Sequence, residues 1–207
     1  MTIVDTSIAA ASAFFSGAAA WAAWKASQEA NRTAATVAQI ERDRWHNELT
    51  PQLRLRLEED RNVLYVRFDG PAGLASLTVR LTLRDDRWLA QEAITVPAAA
   101  RTAQEEANVI WGPFRFPPGT GGSDPLGRSI APFVLEEADR IRLPLEPSLK
   151  PLWWEGELGE EAWRHRYRHA RVRLRADCAA PGHKPWQVSF EVPRSGGWAQ
   201  TGQPIFT

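Results

Sequence analysis

The chain has one cysteine in 207 residues, Cys178. It can form no internal disulfide, which excludes a small disulfide-stapled scaffold and fits a reducing compartment. Lysine is nearly missing as well: only Lys25, Lys150 and Lys184 stand among 25 basic residues. Against 25 acidic residues the formal net charge is zero, so bulk electrostatics select no partner. No internal repeat or low-complexity tail is present. No serine sits in a nucleophile-elbow pattern, so no Ser/His/Asp triad can be assigned. These absences leave an expectation of no enzyme, no cofactor and no small-molecule substrate.

Charge is also absent between Asp5 and Lys25. Thr6–Trp24, TSIAAASAFFSGAAAWAAW, would extend about 28 Å as a helix, close to the ~30 Å hydrocarbon core. It is mostly alanine, and its strong apolar residues are Ile8, Phe14, Phe15, Trp21 and Trp24. We read these five as a membrane anchor, with Trp21 and Trp24 beside Lys25 as an interfacial belt. Lys25, Arg32, Arg42 and Arg44 follow the run, whereas Met1–Asp5 has no basic residue. Positive charge stays inside, which predicts a single-pass protein of the cell membrane with its C-terminal part cytoplasmic. The same lack of a basic leader argues against a cleaved signal. The alternatives are a helix lying on the membrane and a helix packed in a homo-oligomer, for which Ala13/Gly17 and Ser12/Ser16 give small-xxx-small spacing.

Residues 25–50 continue the helical pattern without proline or glycine and read as a stalk. Ala26, Ala30, Thr33, Val37, Ile40 and Arg44 keep a coiled-coil spacing, although most of those side chains are small or polar. Thr50 precedes Pro51, which ends the helix.

From Pro51 the period changes to two. Leu53, Leu55 and Leu57 alternate with Arg54, Arg56 and Glu58; Leu64, Val66 and Phe68 follow across a short turn at Glu59–Asn62. Leu77–Leu83, Ile141–Leu145, Val172–Ala176 and Val188–Val192 repeat the alternation, and Pro144 marks an edge strand. Half-buried strands with one wet face predict an antiparallel β-sandwich over residues 51–207, immunoglobulin-like or C2-like. A further strand at Glu92–Val96 and short helices at Thr102–Val109 and Gly159–Arg168 complete the reading. The fold class is thus mainly β behind a long N-terminal helix divided into a span (1–24) and a stalk (25–50).

Three stretches resemble catalytic chemistry and fall short of it. Pro117–Ser123, PPGTGGS, has Gly122 where a phosphate loop needs lysine, and Pro125 interrupts the helix that should follow. His165 and His169 are four apart with Glu161 one turn earlier, which is the basis of an alternative reading as a metal-assisted hydrolase. The Arg-Tyr-Arg between them opposes a divalent ion, so no metal is expected. Cys178 and His183 supply two ligands where zinc wants at least three.

The densest charge lies in Arg164, Arg166, Arg168, Arg171, Arg173 and Arg175. With outward Arg54, Arg56, Arg80 and Arg84, it reads as a sheet face paired to Glu58, Asp69 and Glu191, or as a docking face for anionic headgroups. Nucleic acid is disfavoured by the zero net charge, even with Trp163 and Tyr167 available for stacking. Trp153 and Trp154 form a candidate aromatic docking spot for a protein partner. A deep polar pocket beside the Trp111–Arg128 loop would favour an enzyme, and a flat arginine face would favour docking.

The stretches Glu41–Leu57, Ile110–Arg128 and His183–Val192 together resemble a group of small actinobacterial membrane-anchored proteins with a Trp-rich β domain. The resemblance implies the architecture and carries over no functional residue. The leading expectation is a membrane-anchored, cytoplasm-facing module that binds a protein or an anionic membrane surface. The other two are the hydrolase and an oligomeric structural protein assembled through the N-terminal helix.

Overall fold

A computed structural model describes residues 3–86, 102–151, 153 and 159–200, with only the backbone described for 3–20 and 22. The chain divides into two units, Met1–Glu48 and Leu49–Thr207.

The first unit is one helix, α1 (Ile3–Glu48). Its 46 residues make it about 69 Å long. Residues 25–48 are helical, as their composition predicts, and the helix stops just before the Thr50-Pro51 break. Its polar groups are satisfied one turn apart: Thr33 and Thr36 donate to the carbonyls of Glu29 and Arg32 at 2.9 Å, and Arg44 pairs with Glu48 at 2.9 Å. Among the described residues no helix is long and apolar enough to cross a membrane. The membrane span expected at 1–24 is therefore not found. Its alanines and serines add little of the transfer energy that Leu, Ile, Phe and Val supply. The side chains of Ile8, Phe14 and Phe15 lie outside the described residues, while Trp21 and Trp24 are 63% and 59% exposed. Val37 and Ile40 of the expected coiled-coil seam are exposed too.

The second unit is mainly β, with two antiparallel four-stranded sheets that fit a sandwich. The first sheet has β1 (Leu53–Glu58), β2 (Val63–Phe68), β6 (Arg140–Pro144) and β10 (Trp198–Gln200) in the order β10-β1-β2-β6. The second has β3 (Ser76–Leu83), β5 (Phe133–Glu136), β8 (Val172–Ala179) and β9 (Trp186–Val192) in the order β5-β3-β8-β9. A small pair, β4 (Phe114–Arg115) and β7 (Glu146–Pro147), lies outside both. The alternation expected from the sequence is the burial pattern observed. Leu55, Leu57, Leu64, Val66 and Phe68 of the first sheet are fully buried, as are Leu77, Val79, Leu81, Val172 and Leu174 of the second. Pro144 ends β6, which is an edge strand, so its missing N–H interrupts no inner ladder.

The turns follow local chemistry. Asn62 closes the β1–β2 hairpin at φ 51°, a left-handed conformation that asparagine tolerates. Thr102 and Glu105 form the expected capping box, and α2 (Ala103–Asn108) starts there. The helix expected at Gly159–Arg168 ends earlier, as α3 (Gly159–Arg166). The strand expected at Glu92–Val96 lies outside the described residues.

A smaller apolar cluster of Val109, Trp111, Trp163 and Tyr167 sits apart from the main core. Trp163 is the hub: its ring centroid is 5.6 Å from Trp111 and 4.9 Å from Tyr167, edge-on to the latter. Its indole N–H donates to Ser148 Oγ at 3.0 Å. This ties α3 to the segment after β7.

Candidate docking surfaces

The look-alike phosphate loop is a structural connection. Ser123 Oγ donates to the Pro117 carbonyl at 2.5 Å, and Gly127 N donates to Asp124 O at 2.9 Å. Gly127 has φ 75°, and a Cβ there would collide with the Phe116 carbonyl oxygen. The glycine allows two backbones to approach. Asp124 is the loop's knot. Burial tends to raise its pKa, but hydrogen bonds from the Ser129 hydroxyl and the Arg128, Ser129 and Leu126 amides outweigh that and lower it.

The histidine cluster does not assemble. His169 lies beyond the end of α3, and Glu161, His165 and His169 do not converge on a buried site. Among the described residues no group of three or more His, Cys, Asp or Glu is placed to hold a metal ion. Cys178 is 1% exposed, and burial pushes its thiol up to about 12, so it is an inert core residue.

Two concave sites flank the smaller cluster. One is a cleft of about 300 Å³ whose apolar lining includes Val109, Ile110, Pro125, Leu126, Leu149 and Trp153. Two of its polar groups hold the fold: Arg115 Nε binds Glu146 at 2.6 Å, and Glu105 caps α2. The other, about 260 Å³, lies by Trp163, Tyr167 and Arg194. There Arg194 donates to the Tyr167 carbonyl at 2.9 Å, pairs with Glu59 and lies 5.3 Å over the Phe114 ring. Trp153 is half-buried against the smaller cluster, so it is a plug with one edge on the cleft. Trp154 lies outside the described residues.

The expected basic face is largely neutralised. Arg164 pairs with Glu160 at 2.5 Å and Arg171 with Glu191 at 3.6 Å. Arg173 reaches Asp86 at 3.3 Å and Glu191 at 3.4 Å, and Arg175 reaches Asp177 at 3.3 Å. Arg166 is half-buried, and Arg168 stands exposed in the turn after α3. The paired-face reading describes β8 and β9.

A different arginine surface occupies the outer side of the first sheet. Arg54, Arg67 and Arg140 stand directly opposite one another across β1, β2 and β6. In the adjacent row Arg56, Tyr65 and Arg142 are opposite, and Trp198 of β10 faces Arg56. All five arginines are exposed. Asp69 pairs with Arg54 at 2.5 Å and Arg67 at 2.6 Å. Arg140 and Arg142 lie over the Tyr65 ring at 5.2 and 5.7 Å, and the tyrosine hydroxyl donates to Glu58 at 2.7 Å. Among the described residues Arg56, Arg140 and Arg142 have no acidic partner within ion-pair distance. Sequence reasoning does not single out Arg140 and Arg142. The available signal is a shared Arg-x-Arg repeat at 54/56 and 140/142, which two-residue periodicity puts on one side of each strand.

No family model matches this chain, and neither a curated protein nor a solved structure matches it.

Proposed function

We propose that this protein is a membrane-associated interaction module, in which α1 is the tether and the sandwich is the displayed binding domain. The observation that carries the reading is the pair of exposed tryptophans at the end of the uncharged stretch. Trp21 and Trp24 adjoin the first cation, and Lys25 Nζ sits 5.7 Å from the Trp21 ring. Tryptophan beside lysine at the edge of an uncharged run is the chemistry of a bilayer interface. The basic residues after Trp24 support placing the sandwich on the cytoplasmic side. Two four-stranded sheets support an immunoglobulin-like or C2-like scaffold.

Fractionation of cells expressing the full chain tests this. The expected result is recovery in the membrane pellet, with release by detergent and partial release by Trp21→Ala/Trp24→Ala. Full recovery in the detergent-free soluble fraction would overturn it.

A further inference from the structure

We infer that the outer face of the first sheet is a docking surface for an anionic lipid bilayer, whose headgroup phosphates accept the guanidinium groups of Arg56, Arg140 and Arg142. The inference rests on the membrane-associated reading above and adds a second, electrostatic contact to the tether.

Like charges directly opposite on neighbouring strands destabilise a sheet. Arg54, Arg67 and Arg140 form such a row across three strands. Asp69 offsets the first two and leaves the third. Among the described residues Asp69 and Glu58 are the carboxylates beside the five arginines, and Glu58 also pairs with Arg61 at 3.7 Å, so at least three positive charges remain in excess on a chain whose net charge is zero. A fold that concentrates its surplus cations on one exposed face, at a cost in stability, supplies a site for an external anion.

The shape of the face selects the kind of anion. Its rows run across adjacent strands about 4.8 Å apart, so the guanidinium groups span a sheet surface. Single-stranded nucleic acid is held by stacking bases on open aromatic rings. Tyr65 is poorly suited to that, because two guanidinium groups lie over its ring and its hydroxyl is bound to Glu58. The same contacts hold Arg140 and Arg142 in place, and a preorganised guanidinium fork matches phosphate oxygens. Trp198, 38% exposed opposite Arg56, adds an amphipathic ring at the border of the patch.

The test uses the full chain and vesicles of phosphatidylcholine, with and without phosphatidylserine. The triple variant Arg56→Gln/Arg140→Gln/Arg142→Gln is compared with Arg164→Gln/Arg171→Gln/Arg175→Gln, which removes equal charge from arginines that have carboxylate partners. Circular dichroism verifies that both are folded. Each basic residue near an anionic surface contributes about 1 kcal/mol, so the first variant should lose roughly a hundredfold in affinity for the phosphatidylserine vesicles. The second should lose at most a few-fold. Equal losses in the two variants, or none in the first, would overturn the inference. So would an oligonucleotide that binds the wild type more tightly than the anionic vesicles do. Binding to pure phosphatidylcholine reads the tether alone: its failure counts against the membrane-tether reading, while the anionic increment separately reads the arginine face.

Discussion

The two sheets of the sandwich share an inner chemistry and differ in their outer one. Inside, both present apolar side chains at every second position, and those of β1, β2, β3 and β8 are almost wholly buried. Outside, each carries an Arg-x-Arg strand, yet the surroundings diverge. Arg173 and Arg175 of β8 meet Asp86, Glu191 and Asp177. Arg56 of β1 faces Tyr65 and Trp198, and Arg140 and Arg142 lie over an aromatic ring. The same Arg-x-Arg pattern is therefore part of the fold's own bonding on one sheet and a cationic surface on the other. What separates the two is where carboxylates fall: β8 has Asp177 of its own, Glu191 of β9 and Asp86 nearby.

The largest expected effect checks the shared half of that comparison. Leu55→Ala and Leu174→Ala, one from each inner layer, should each lose about 2–5 kcal/mol in chemical denaturation. A loss confined to one sheet would show that the layers are not equivalent. Asp124→Ala should come next, at about 2 kcal/mol, because it removes a charged acceptor from several amides and a hydroxyl. The folded pKa of Asp124 is depressed, so its contribution is present above the ordinary carboxylate range and is lost as pH falls through the folded value. Acid titration of the wild type should therefore show a loss of stability that Asp124→Ala lacks.

Smaller effects address the outer faces. Arg173→Ala should destabilise by about 1 kcal/mol, since it takes a partner from the largely buried Asp86. Arg140→Thr should be neutral or stabilising by roughly 0.2–0.5 kcal/mol, because it relieves a like-charge opposition and suits a strand. Thermal melts of the two variants side by side would decide the point. If Arg140→Thr cost as much as Arg173→Ala, the outer faces would not differ as described.

Much of this fold is legible in the amino-acid sequence itself. The alternation in Leu53–Leu57, Leu64–Phe68 and Leu77–Leu83 marks buried and wet faces, because successive strand residues point to opposite sides. The Thr102–Glu105 box and the Pro51 stop are local and equally legible. The short strands β4, β5, β7 and β10 escape such a reading, since two to four residues carry too little periodicity to register. The pairing of the basic run is not legible for a related reason. A run such as Arg164–Arg175 is conspicuous along the chain, but its neutralising carboxylates come from β9, from Asp86, from α3 and from within β8 itself.

The amino-acid order alone determined the helix-then-strand division and which side of each strand is dry, because both follow from backbone periodicity and nearest-neighbour chemistry. Only the tertiary structure decided that β6 lies beside β2. That pairing sets Arg142 against Tyr65 and Arg140 against Arg67 across more than 70 residues of chain. Strand adjacency comes from the global packing of two sheets on one core, and no local pattern encodes it.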